Sequence, residues 1–366
     1  MRIAFAGLFL VSGGAKADPL CWRPEDLVGK AGEQSIRNHG SALAYRSVPT
    51  GVLRVPALPR PPAGTVIRRF ELPGDQKIVA LTFDLCEQPH EITGYQGEIV
   101  DYLRKNGIRA TFFASGKWIV THEERAQQLL SDPLFEVGNH TWEHRNLAMT
   151  SAEATLTEIA AAQLAYQNAY DNLARRQCLA RDGQSPAHDL ANPEQRLLRF
   201  PYGSCSAAAI GAVERLGLVP VQWDVSSADP WKGQTVENMV KYVVSNVKSG
   251  SIVLFHANGR GWRTEDALPR IVDALRARGF SFARVGDLLT MDGAKPVMSE
   301  LCYDRRPHDL DRYNTAAAKL ERQYDAFYKR LKKPPPHVDA SNDVGSSAPL
   351  ARPGDGEVLP WLMPKE

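Results

Sequence analysis

The sequence predicts an α/β fold in which a parallel sheet is wound with helices and closes toward a barrel. Three observations carry that prediction. Seven short apolar runs recur between Ile78 and Val285. Helix-period patterns separate most of them, and repetition of strand, helix and strand makes consecutive strands parallel. No glycine-rich dinucleotide fingerprint follows the first run, which favours a barrel over a doubly wound open sheet.

Taken in order, the chain opens with "MRIAFAGLFLVSGGAKADP", which has an early Arg2, an apolar run Ile3–Val11 and Ala15-Lys16-Ala17 before Asp18. That pattern predicts a secretory signal peptide over residues 1–17 and a periplasmic or secreted protein. The run is too short to span a membrane, and no other stretch reaches that length. In an oxidising compartment Cys21, Cys86, Cys178, Cys205 and Cys302 can form two disulfides with one thiol left over. Residues 18–76 read as an N-terminal extended arm, because prolines punctuate "VPTGVLRVPALPRPPAG".

The main domain is expected over residues 77–292. Its strand candidates are Ile78–Phe83, Ala110–Ser115, Phe135–Asn139, Leu197–Pro201, Pro220–Val225, Ile252–His256 and Phe280–Val285. The helices between them include "GEIVDYLRKNG", stopped by Gly107, and "DALPRIVDALRARG", stopped by Gly279. An insertion, Ala152–Gln195, reads as an Ala-rich helix followed by a surface excursion. Residues 293–333 form a C-terminal helical extension with Leu310, Tyr313, Ala317, Leu320, Tyr324, Phe327 and Leu331 along one stripe. That stripe suits docking on the main domain or pairing in a homodimer. Residues 334–366, rich in Pro, Gly, Ser and Asp, are expected to be disordered.

With 366 residues, 43% of them hydrophobic, the chain can bury a sizeable core. A net charge of +2 with scattered Lys and Arg argues against a nucleic-acid-binding protein. The informative polar residues fall at strand ends, where parallel barrels carry their chemistry. Asp84 ends the first run, and His140 and His144 follow the third. Arg199 and Tyr202 lie at the fourth, Asp224 and Asp229 at the fifth, and His256 closes the sixth. Two histidines four apart, separate acids, an arginine and a further histidine are the parts of metal-assisted hydrolysis.

In order and spacing, "TFD" (Thr82–Asp84), "HTWEH" (His140–His144), "RFPYG" (Arg199–Gly203), "WDVSSADPW" (Trp223–Trp231) and "LFH" (Leu254–His256) resemble the five motifs of the polysaccharide deacetylases. This is carbohydrate esterase family four, which includes chitin, peptidoglycan and nodulation deacetylases. The resemblance covers roughly Ile78–Leu289 and implies a distorted barrel of seven or eight β/α units. It also implies hydrolysis of N- or O-linked acetyl groups on a cell-wall or extracellular polysaccharide. One divalent metal is implied, zinc first among the candidates. Asp84 is then the general base, oriented by Arg199, and His140 and His144 are metal ligands. His256 is the acid, Asp229 raises its basicity, and the Tyr202 main-chain N–H faces the oxyanion.

The first motif departs from the family pattern. Leu85 stands where a second aspartate ligates the metal, and a leucine cannot coordinate. Glu87 is the first choice of replacement because it keeps a carboxylate. Cys86 is a second, unless it pairs with Cys205 to staple two loops, and Asp84 itself is a third. Pro230 replaces a tryptophan, with Trp231 one place later. The loop "ANGRGW" and Trp142, Trp223, Trp231 and Trp262 are candidates for sugar contact or for plain packing. Leu85 motivates one rival function, an inactive glycan-binding barrel, and a metal-independent hydrolase of a small amide is a second.

Overall fold

The computed structural model describes residues 21–38, 40, 42–56, 63–176, 195–302 and 310–338, with residues 310–316 described by their backbone only. The expected signal peptide, the excursion after residue 176 and most of the tail lie outside the described residues.

The first half of the chain contains α1 (Pro24–Leu27), β1 (Val66–Glu71), β2 (Ile78–Leu85), α2 (Gly97–Lys105), β3 (Ala110–Ala114), α3 (Gly116–Thr121), α4 (Glu123–Ser131), β4 (Phe135–Asn139) and α5 (Ala152–Ala174). The second half contains β5 (Leu197–Leu198), α6 (Ala207–Arg215), β6 (Val219–Pro220), β7 (Val225–Ser226), α7 (Val236–Asn246), β8 (Ile252–His256) and α8 (Thr264–Ala277). β9 (Ser281–Phe282), α9 (Val285–Leu289), β10 (Lys295–Ser299) and α10 (Leu310–Leu331) complete it.

One curled sheet runs β6-β5-β4-β3-β2-β8-β7, with β9 paired to β2. Every pairing in it is parallel. The central strands are buried throughout except at Ile78, as expected of a sheet covered on both faces. The sheet is an open half-barrel, and β1 lies along its gap. Ile67 bridges to Val221 beyond β6, and Arg69 to Ser251 ahead of β8. This is the expected distorted barrel.

Four of the seven strand candidates form full strands. The run Leu197–Pro201 pairs only at Leu197 and Leu198, ahead of a proline that has no N–H to offer a ladder. Pro220–Val225 divides into β6 and β7. Two boundaries need correction. β1 falls within the stretch expected to be an extended arm, yet Val66, Ile67 and Phe70 are fully buried. β10 falls within the stretch expected to be helical and pairs antiparallel with β1. Each strand is short and partly charged, and its partner lies at the other end of the chain.

α5 starts at Ser151, whose side chain accepts from the Ala154 N–H, and is buried along most of its length. On α10, Ala317, Tyr324 and Phe327 are buried against the rest of the chain, as is Tyr328, so this part of the stripe docks on the main body. Cys205 is disulfide-bonded to Cys302, which corrects the Cys86–Cys205 staple. Cys86 is a free, buried thiol. Among the described residues no helix is long and apolar enough to cross a membrane.

Candidate active site

The parallel register sets Asp84 of β2 directly beside His256 of β8. Around this pair the predicted polar residues gather at one end of the sheet. Arg199, fully buried after β5, donates from Nη1 to Asp84 Oδ1 at 2.8 Å and to Thr82 Oγ1 at 2.8 Å. Its Nη2 reaches the Gln222 carbonyl at 3.3 Å, and its guanidinium lies 4.1 Å from the Phe113 ring centre. Desolvation pushes Arg199 down, while Asp84 opposes the shift by holding its positive charge.

His256 Nδ1 lies 2.8 Å from Asp229 Oδ1. The other carboxylate oxygen accepts from the His256 main-chain N–H at 2.7 Å and from Thr264 Oγ1 at 2.7 Å. Burial alone would push His256 down, but the Asp229 carboxylate outweighs it and holds the imidazole well above its ordinary range. This pairing favours the charged form of the His256 ring, the form suited to give up a proton.

The metal histidines meet at Cys86. Along an extended chain side chains alternate, so Asp84 and Cys86 share one face while Leu85 and Glu87 take the other. Leu85 is fully buried in the main apolar core. Glu87, the first-choice third ligand, is turned away from the histidines, and that expectation is corrected. Its Oε2 accepts from the N–H and hydroxyl of Thr93, and its Oε1 from Thr121 at 2.8 Å. Desolvation pushes its carboxyl up, with Lys117 and these donors opposing.

Cys86 Sγ lies 3.5 Å from His140 Nε2. Ligand atoms of Cys86, His140 and His144 all fall within 4.8 Å of one another, and so do those of Asp84, Cys86 and His256. His140 Nδ1 lies 2.9 Å from the Arg199 carbonyl, which can only accept; this places the proton there and leaves the Nε2 lone pair facing Cys86. His144 Nδ1 is buried without a hydrogen-bond partner among the described residues. Two imidazoles and a thiolate, one of them with an orphaned polar atom, form a donor set that fits zinc. Burial pushes the Cys86 thiol up, but the two imidazoles outweigh it and draw the thiol well below its ordinary value. Burial also opposes charge on both imidazoles. It pushes His144 down, whereas the Asp84 carboxylate lifts His140 above its usual range.

Tyr202 takes a left-handed backbone at φ 58°, and its hydroxyl accepts from Gln88 at 3.1 Å. Asp224 is not in the site: its carboxylate accepts from Ser251 and from the Ile252 N–H, at the opposite end of β8. Trp142 is core, Trp223 stands over Arg199, and Trp231 and Trp262 are exposed. The loop after His256 is tied down, with Asn258 donating to the Cys86 carbonyl and Arg260 paired with Glu91. Thr264 and the buried Lys117, which donates to the carbonyls of Gln88, Pro89 and Glu91, went unnoticed in the sequence, and Asn258 stood out only as part of its loop. Cys86 had a usable signal in the alternation from Asp84.

A cavity of about 410 Å³ opens beside His144. His144, Tyr202 and Gln88 line one side, and Glu321, Tyr324 and Arg330 of α10 line the other.

Glu158 of α5 is buried next to the histidine loop and accepts from the Glu143 N–H at 3.0 Å. Burial, reinforced by the Glu143 charge, pushes its carboxyl up to about 7 from an ordinary 4.5. The folded state therefore keeps a proton that the unfolded chain releases between these values. Stability falls as pH rises through that window and stays lower above it. Glu158→Gln retains the acceptor and is expected to be more stable than the parent at pH 8 by roughly 2 to 3 kcal/mol, with little difference at pH 4.5. Denaturant titrations at the two pH values measure this. An equal difference at both would mean that Glu158 titrates normally.

The fold and site define a deacetylase-type hydrolase. The Polysaccharide deacetylase family model matches residues 71–186. A peptidoglycan-N-acetylglucosamine deacetylase of Bacillus cereus is 30% identical over 223 residues, covering 60% of this chain and 92% of its own. A chitooligosaccharide deacetylase of Azorhizobium caulinodans is 29% identical over 219 residues, covering 57% and 92%. Among solved structures, a carbohydrate esterase family 4 pseudoenzyme from Bacillus anthracis is 22% identical, covers 59% of this chain and 66% of its own, and has a TM-score of 0.47. The chain belongs to the polysaccharide deacetylase family.

Proposed function

We propose that this protein is an exported, zinc-dependent deacetylase that removes N-linked acetyl groups from a glycan. The observation that carries the reading is the meeting of three devices at one strand-end rim: the Asp84–Arg199 pair, the His256–Asp229 pair and the Cys86, His140 and His144 cluster. The two relatives are named for chitooligosaccharide and for peptidoglycan N-acetylglucosamine, which supports a hexosamine amide over an ester. Export is supported by the N-terminal sequence and by the Cys205–Cys302 disulfide.

His140, His144 and Cys86 would hold the ion, Cys86 replacing the carboxylate that Leu85 cannot supply. A zinc ion bound there would supply Lewis acidity to the acetyl carbonyl and to water. Asp84, held by Arg199, accepts the proton of the attacking water. The main-chain N–H of Tyr202, which has no partner among the described residues, donates to the developing oxyanion. As the bond from the carbonyl carbon to nitrogen breaks, His256 gives its proton to the departing amine, and Asp229 stabilises the imidazolium until it does. Acetate and a free amino sugar are the products.

The test combines elemental analysis with acetate release from chitooligosaccharides, for the full chain and for Cys86→Ser and His140→Ala. One zinc per chain, with metal and activity lost in both variants, is expected. In the cobalt-substituted protein a thiolate-to-cobalt charge-transfer band is expected, and Cys86→Ser should remove it. Glycan binding with neither metal nor acetate would replace this reading with an inactive glycan-binding barrel. Turnover by metal-free protein would favour a metal-independent hydrolase of a small amide.

A further inference from the structure

We propose that α10 positions the metal loop, holding His144 in its ligating conformation from a part of the chain more than a hundred residues away. Thr141 and His144 both adopt left-handed backbones, at φ 63° and 57°. Such conformations at non-glycine residues persist only where the surroundings over-determine them. The first half of the loop is held from the sheet side. Gly116 N–H donates to the Thr141 carbonyl at 2.9 Å and Lys117 N–H to the Trp142 carbonyl at 3.0 Å, while Glu158 accepts from the Glu143 N–H.

The second half is held by α10, on both neighbours of His144. The Tyr328 hydroxyl lies 2.6 Å from each carboxylate oxygen of Glu143. Glu321 accepts from Arg145 Nη2 at 2.8 Å and Nε at 3.1 Å, and from the Asn146 N–H at 3.2 Å. The Arg145 guanidinium also sits 3.7 Å from the Tyr324 ring centre. Tyr328 is 1% exposed and the Arg145 and Glu321 side chains 17% and 13%, so these grips are largely shielded from water. Tyr328, Glu321 and Tyr324 belong to neither group of candidate metal ligands, and Tyr328 and Glu321 hold the residues on either side of His144. They act through the loop, as outer partners orient metal ligands elsewhere.

The metal half of this inference rests on the proposed zinc site, so the experiment reads the loop separately. Tyr328→Phe and Glu321→Gln keep the shape of the side chains, and Asp325→Asn on the exposed face of α10 is the control. Zinc affinity is measured by chelator competition, and amide hydrogen exchange of residues 141–147 is followed in metal-free protein. Zinc affinity is expected to fall 10- to 100-fold in the first two variants, with faster exchange confined to the loop and no change in the control. Unchanged loop exchange in both would overturn the proposal whether or not zinc binds. Faster exchange with undiminished zinc affinity would also overturn it, reducing α10 to packing. If the parent binds no zinc, the reading of the function fails, and loop exchange still decides the positioning role.

Discussion

Asparagine in place of Asp229 is expected to lower kcat for acetate release by about 10²- to 10⁴-fold, the range for losing a positioned acid. Asp229 receives three donors: the His256 ring, the His256 main chain and Thr264. An amide has one oxygen, so at least one of these donors meets an NH₂ group. The larger effect is on the imidazole. Asp229 is the main reason that buried His256 stays well above its ordinary value. Without that charge only Cys86 still opposes burial, so the ring shifts down and fewer molecules carry the proton that the leaving amine needs. The high-pH limb of the kcat profile should move to lower pH, while KM changes little. A variant with kcat within threefold of the parent and an unmoved profile would show that His256 is not the acid.

Removing Arg199 should have the largest effect on stability. Arg199→Met is expected to destabilise the protein by about 3–5 kcal/mol, because it leaves the Asp84 carboxylate buried without its countercharge. The guanidinium also satisfies Thr82 and the Gln222 carbonyl and lies over Phe113, so the loss is spread through the centre of the sheet. Adding Asp84→Asn to Arg199→Met should restore part of the stability, since the stranded charge is then gone, without restoring acetate release. Denaturant titrations of the two single variants and the double variant give the coupling directly. A loss under about 1 kcal/mol for Arg199→Met would mean that the pair is solvated.

Much of this was written in local patterns. The runs at Ile78, Ala110, Phe135 and Ile252 became full strands because their apolar residues are continuous, as strands covered on both faces require. Asp84, His140, His144, Arg199, Asp229 and His256 were found by asking which polar residues close those strands. Glu87 was chosen for its chemistry, when the alternation of the extended chain excludes it and selects Cys86. β1 and β10 escaped notice because "VIRRFE" and "KPVMS" have weak patterns alone and are stabilised by each other across almost the whole chain.

By itself the sequence determined which residue types stand at the strand ends, the helices between the strands and the apolar stripe of α10. These depend on neighbours a few residues apart. Only the tertiary structure decided the partners: that Thr264 supports Asp229, that Cys205 joins Cys302, and that α10 buries Ala317, Tyr324 and Phe327 on the chain's own body and grips the histidine loop. Such contacts depend on the directions in which distant side chains converge once the sheet has curled. A one-dimensional pattern does not contain those directions.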